Sequence, residues 1–183
     1  MRRQKMTIQD KTMNALERVV NQAISNGETT DAYLCRLQLP KQFSSNIKES
    51  NDIYKKIISD FGKNVMRKTG ETPRYITVKT ENENNPEYAF CLFTRYDASL
   101  DKPEEYAEKG REIANTKVSQ RGWGHGRLDV VELIKDAPRF TISHPVQITQ
   151  ANKDDAIGQL QEHLKSKSES LNHQRTLFVS KCQ

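Results

Sequence analysis

The sequence predicts an α+β domain, an antiparallel sheet with helices packed on one face, preceded by an N-terminal helical arm. Three observations carry this. Apolar residues recur at helical spacing in four stretches. The stretches between them alternate apolar and polar residues, as strands do. Two of these flank a run of Glu, Asn and Pro, which reads as a hairpin. The predicted order is helix, then β-α-β-β-α-β-β-α-β, with an arm over 1–29 and a domain over 30–183.

The first helix is TIQDKTMNALERVVNQAISNG, where Leu16, Val19, Val20, Ala23 and Ile24 share a face and Gly27 is the stop. DAYLCRLQLP then alternates through Tyr33, Cys35, Leu37 and Leu39 until Pro40 ends the strand. In NDIYKKIISDFGKNVMRKTG, Ile53, Ile57, Phe61 and Val65 lie four apart, Tyr54 and Ile58 widen the stripe, and Gly70 closes the helix. RYITVKT and YAFCLFTRY form the hairpin strands. The third helix, DKPEEYAEKGREIANTKVSQRG, has Asp101 as its cap, Pro103 in the first turn, and Glu104 and Glu105 near the positive end of its dipole. Tyr106, Ile113 and Val118 are its expected buried members. GRLDVVELI and RFTISHP read as a second strand pair joined through KDAP. NKDDAIGQLQEHLKSKSES is the last helix, with Ile157, Leu160 and Leu164 inward, and TLFV is a final edge strand.

At 183 residues the chain is one domain of ordinary size. Its hydrophobic content of 34% and mean hydropathy of −0.84 are low, so much of the chain is expected to face water or a partner. The net charge of +5 suits a nucleic-acid binder, and equally a protein that docks on an acidic surface. Cys35, Cys91 and Cys182 are odd in number and widely spaced, which points to reduced thiols inside a cell. MRRQKM is followed by no apolar core of signal-peptide length, and no run reaches membrane-spanning length. A soluble, cytoplasmic protein with no membrane partner is expected.

RGWGHGRL alternates Gly122, Gly124 and Gly126 with Trp123 and His125. A phosphate-cradling loop needs a helix directly after it, and here a strand is predicted, so the stretch reads as a turn closing a helix. Arg121, Trp123 and Arg127 make it a candidate contact loop. His125, His144, His163 and His173 show no metal-ligand spacing, and His163 is expected to be solvated or at a boundary. Glu81, Glu83 and Glu87 read as solvated carboxylates, and no nucleophile signature or Walker loop is visible. No catalytic residue, metal or cofactor is expected. Basic residues cluster at Arg2, Arg3 and Lys5, at Lys55, Lys56, Lys63, Arg67 and Lys68, and at Lys165, Lys167 and Lys181. These are wet helix faces or, if they converge, a track for a phosphate backbone.

YLCRLQLP, YITVKTENENNPEYAFCLF and HLKSKSES…RTLFVSKC occur in an order that resembles the YagK/YfjJ-type family, relatives of inovirus replication initiators found in prophages and satellites. The resemblance implies a rolling-circle-initiator fold, in which a histidine pair on the hairpin holds a metal and a helix tyrosine attacks DNA. This chain departs from that pattern. After Pro86 it carries Glu87, Tyr88 and Ala89, and its last tyrosine is Tyr106. Nicking needs both a metal and a nucleophile, so Glu87, Tyr88 and Ala89 are expected to be the remains of a site. The expectation is a non-enzymatic phage or phage-satellite protein acting through protein contacts, as in capsid assembly, by self-association or with a phage structural protein. The alternative is a DNA-binding replication or regulatory accessory of a mobile element. Contact candidates are Arg2, Arg3, Lys5, Arg121, Trp123, Arg127, Lys165 and Lys167. The implied location is the bacterial cytoplasm, or a virion or procapsid.

Overall fold

A computed structural model describes residues 6–81, 85–95, 100, 102–125, 136–165 and 177–179. In chain order its elements are α1 (Ile8–Ile24), β1 (Thr30–Gln38), a 3-10 turn (Lys41–Phe43), α2 (Ile47–Thr69), β2 (Arg74–Glu81), β3 (Pro86–Arg95), α3 (Pro103–His125), β4 (Arg139–Ile142), β5 (Val146–Ile148), α4 (Lys153–His163) and β6 (Leu177–Val179). The local signals explain most boundaries. Thr7 and Asp10 form a capping box that starts α1. The side chain of Asn46 accepts the Glu49 N–H and starts α2. Gly70 ends α2 at φ 78°, a left-handed conformation that glycine adopts without a Cβ clash.

The six strands form one sheet in the order β4-β1-β3-β2-β6, with β5 pairing β1 beside β4, and every pairing is antiparallel. Odd-numbered residues of β1 and even-numbered residues of β3 point to one side. Tyr33, Cys35, Leu37, Tyr88, Phe90 and Leu92 there meet Ile53, Ile57, Phe61 and Val65 of α2 and Ala114 and Val118 of α3. On the other side Ala32, Ile76, Val78, Ala89, Cys91 and Phe93 meet Leu16, Val19 and Val20 of α1 and Ile157 and Leu160 of α4. The sheet is therefore a middle layer between two helical pairs.

The α+β class and the antiparallel sheet agree with the sequence reading, but three placements change. The helices cover both faces, not one. Residues 8–24 are not a separate arm, because Leu16, Val19, Val20 and Ile24 are buried to within 2% exposure. The glycine-rich RGWGH segment is no loop: α3 continues through it to His125. The predicted strand GRLDVVELI and the cap Asp101 lie outside the described residues, and RFTI pairs with β1 as β4.

β5 was absent from the sequence reading, and its register explains why. Cys35 opposes Ile142 and Ala32 opposes Val146, so Ser143, His144 and Pro145 face only Tyr33 and Leu34. One extra residue makes this a β-bulge. The Leu34 carbonyl accepts the Ser143 N–H at 2.9 Å, and the Ser143 hydroxyl accepts the Leu34 N–H at 3.0 Å in place of a strand carbonyl. The bulge reverses the alternation: Phe140 points into the core under α2 and α3, Ile148 into the opposite one.

Two glycines inside helices make opposite demands. A Cβ at Gly110 of α3 would sit 2.5–2.7 Å from three ring atoms of Phe140, whose ring is held between Phe61 and Phe90. Nothing lies within 4 Å of a Cβ at Gly158 of α4. Gly110→Ala should lower unfolding free energy by about 1–3 kcal/mol through overpacking. Gly158→Ala should raise it by about 0.5–1 kcal/mol through helix propensity. Urea unfolding of the two variants measures both, and a stabilised Gly110→Ala would contradict the close helix–strand approach.

Candidate functional site at the hairpin end of the sheet

The chain around the hairpin is pinned by backbone groups. The Pro86 carbonyl accepts the Leu39 N–H at 2.8 Å, and the Asn85 amide donates to the Leu39 carbonyl at 3.0 Å and to the Asp136 carboxylate at 3.0 and 3.1 Å. Asp136 also accepts the Lys41 N–H at 2.6 Å. Asn85 thus fixes the start of β3, and with it the faces that residues 87–89 occupy.

Glu87 and Ala89 point to the α1/α4 side of the sheet. Arg36 of β1 donates from Nη1 to Glu87 Oε1 at 2.5 Å, with the two side chains 45% and 20% exposed. A pair this exposed contributes at most about 1 kcal/mol to stability, but its electrostatic effect is local and direct. The guanidinium neutralises the Glu87 carboxylate, which could otherwise attract a hard cation, and the methyl group of the buried Ala89 donates nothing. His163 at the end of α4 lies over the same strands, with Nε2 2.9 Å from the Cys35 carbonyl. Burial pushes its imidazole below the ordinary value. The Arg36 charge acts in the same direction, while the Cys35 and Phe90 backbone and the Glu87 carboxylate oppose it. His163 is thus a neutral donor holding α4 to the sheet, half-buried at the boundary position that was one of the two the sequence suggested.

Tyr88 points the other way, into a polar cluster within the core. Lys79 Nζ donates to Ser50 Oγ at 3.1 Å, and Ser50 Oγ lies 2.7 Å from Tyr88 Oη, which donates to Asn51 Oδ1 at 2.7 Å. With each hydroxyl supplying one proton, the chain runs from Lys79 through Ser50 and Tyr88 to Asn51. Lys79 Nζ also stands 5.6 Å from the centre of the Tyr88 ring. Tyr54 stacks on that ring at 4.2 Å and shares a short hydrogen bond with Thr77. Burial, with the Asp52 charge adding to it and the Ser50 hydrogen bond opposing, raises the Tyr88 phenol well above its ordinary range. Tyr54 is raised likewise, chiefly by burial. Both hydroxyls are protonated at neutral pH and enclosed, which suits structural hydrogen bonding and disfavours attack on a phosphodiester.

The other sequence candidates are dispersed. Lys165 is exposed two residues beyond His163, and Arg121 and Trp123 fall in the last turns of α3. Arg2, Arg3, Lys5, Arg127 and Lys167 lie outside the described residues. Arg36, Lys79, Ser50 and His163 emerge only from the fold. Lys79 has the parity of Tyr75 and Thr77, which the register places on the α2/α3 side of β2. Among the described residues, no group of three His, Cys, Asp or Glu could hold a metal ion, and no helix is long and apolar enough to cross a membrane. The fold and site define an α+β sandwich with a buried lysine–hydroxyl relay and a neutralised carboxylate at its hairpin end. The chain matches no family model, no curated protein and no solved structure.

Two measurements follow from this geometry. Tyr88→Phe leaves the Asn51 and Ser50 side chains without their shared partner in a buried setting, so unfolding free energy should fall by about 1–3 kcal/mol. Urea denaturation reads this, and a neutral Tyr88→Phe would remove the relay from the stability argument. His163 supplies a pH dependence. Its folded pKa lies below the unfolded value, so the unfolded chain binds the proton first as pH falls. The associated stability is complete above about pH 6.5 and is lost as pH drops below that value toward the folded pKa. His163→Gln should flatten the slope below about pH 6.5 when unfolding curves are compared.

Proposed function

We propose that this chain is a non-enzymatic protein of a phage or phage satellite that works through protein–protein contacts, as a scaffold does in capsid assembly. The observation that carries the reading is the Arg36–Glu87 pair. At the hairpin position where the resemblance implies a metal-binding histidine pair, a guanidinium occupies the carboxylate and Ala89 stands beside it. The facing helix, α4, carries His163 and no tyrosine. A surface that once served chemistry is free to serve recognition.

A second reading, a DNA-binding accessory of a mobile element, is favoured by one feature. Lys48, Lys56, Lys63 and Arg67 lie exposed along α2. Three cations there are already engaged: Lys63 and Lys117 bond Asp60 at 3.2 and 2.8 Å, and Lys68 lies 5.0 Å over the Tyr106 ring. The remaining row is short for a phosphate track.

Sedimentation with light scattering, at low and high salt, with and without duplex and single-stranded DNA, separates the two. Protein contact predicts behaviour indifferent to DNA. A monomer that shifts only with DNA, and loses the shift in salt, overturns this reading in favour of the second.

A further inference from the structure

Among the described residues, one corner of the sheet is exposed on the α1/α4 side. The pairing of β1 with β4 sets Gln38 against Arg139 and Arg36 against Thr141, so these four side chains share a face. Arg139 and Thr141 are exposed, and Arg36 is 45% exposed. Between them, Leu37 and Phe140 point the opposite way into the core under α2 and α3. The rim carries Lys165 just past the end of α4. This polar corner carries two guanidiniums, and among the described residues Glu87 pairs with Arg36.

The same chain offers the complement. Glu104 and Glu108 lie one helical turn apart on the outer surface of α3 with Glu105 beside them; all three are exposed, Glu104 standing 3.7 Å from His144 Nε2 and Glu105 3.3 Å from Lys102 Nζ. Glu104 and Glu105 fall in the first turn of the helix, where its dipole favours negative charge. α3 belongs to the layer on the far side of the sheet from the open corner. The two patches lie on different layers, so a contact between them joins the corner of one copy to the helix of another. The corner has no aromatic side chain among Arg36, Gln38, Glu87, Arg139 and Thr141, so it lacks the stacking platform of single-strand binders.

Resting on the protein-contact reading above, we infer that the open Arg36/Arg139 corner of one copy receives the Glu104/Glu108 face of α3 from a second copy, in a head-to-tail contact. Arginine forks match carboxylates in two-pronged geometry, which gives such a contact its orientation. Each exposed ion pair is weak singly, so the association is concentration-dependent and sensitive to salt. Because donor and acceptor patches lie on opposite layers, the contact repeats from copy to copy rather than closing on a dimer.

The test is sedimentation velocity over a concentration series in low and high salt. It compares the full chain with Arg139→Glu, with Glu104→Lys/Glu108→Lys, and with all three substitutions together. The inference expects the unsubstituted chain to associate in low salt, each charge-reversed chain to lose roughly tenfold or more in association constant, and the triple variant to recover. Circular dichroism checks that these exposed positions leave the fold intact. Association unaffected by the substitutions or by salt overturns the inference while leaving the protein-contact reading standing. A chain monomeric at every concentration overturns the inference as well. Assembly seen only on added DNA overturns both.

Discussion

The long β1–β3 ladder is the constraint on which the rest of the molecule depends. It pairs nine residues of each strand, from Thr30 with Arg95 to Gln38 with Glu87, and along most of its length both faces carry buried side chains. In a sheet covered on one side, a slip of one residue exposes an apolar set to water. Here a slip would exchange the two cores. The aromatic set of Tyr33, Tyr88 and Phe90 would meet α1 and α4, and the small set of Ala32, Ala89 and Cys91 would meet α2 and α3. The two sets differ greatly in volume, so neither space could accept the other. Register is thus specified by size on two sides at once, and the positions of Arg36, Glu87 and His163 follow from it.

The polar relay at the hairpin end belongs to the same logic. Lys79 is 6% exposed and Ser50 is fully buried, a costly placement unless their hydrogen bonds are made. Ser50 lies in the first turns of α2, Lys79 on β2 and Tyr88 on β3, so the relay ties one helix and two strands at one point. Tyr54 reinforces it by stacking on Tyr88 from the next turn of α2. Apolar packing alone would let α2 slide along its groove, since ridges of Ile and Phe tolerate small shifts. Directed hydrogen bonds do not.

Much of this was legible in the sequence, and the exceptions have physical reasons. The four-residue spacing of Ile53, Ile57, Phe61 and Val65 identified α2, because a helix covering one face needs only one stripe. The same reasoning failed to place helices on both faces, although YAFCLF carried the signal. That run is apolar at every position, the mark of a strand buried on two sides rather than one. The glycines of RGWGH argued for a loop, and helical propensity there is indeed low, yet α3 runs through them. The candidate site was legible only in part. The hairpin and residues 87–89 could be located, but Arg36 and His163 come together from positions more than 120 residues apart, which pattern alone cannot bring into register.

The kink at Ser143 to Pro145 bears on how the molecule can meet others. An unbroken outer strand offers a row of unpaired backbone groups, an open template for another chain to extend the sheet. Here β4 and β5 are only four and three residues long, and the segment joining them is bent by an extra residue, with a Ser143 hydroxyl in the place of a carbonyl and a proline lacking an N–H. Sheet growth along this margin is interrupted after a few residues. At this margin the sheet therefore presents side chains to its surroundings rather than a continuous row of backbone groups.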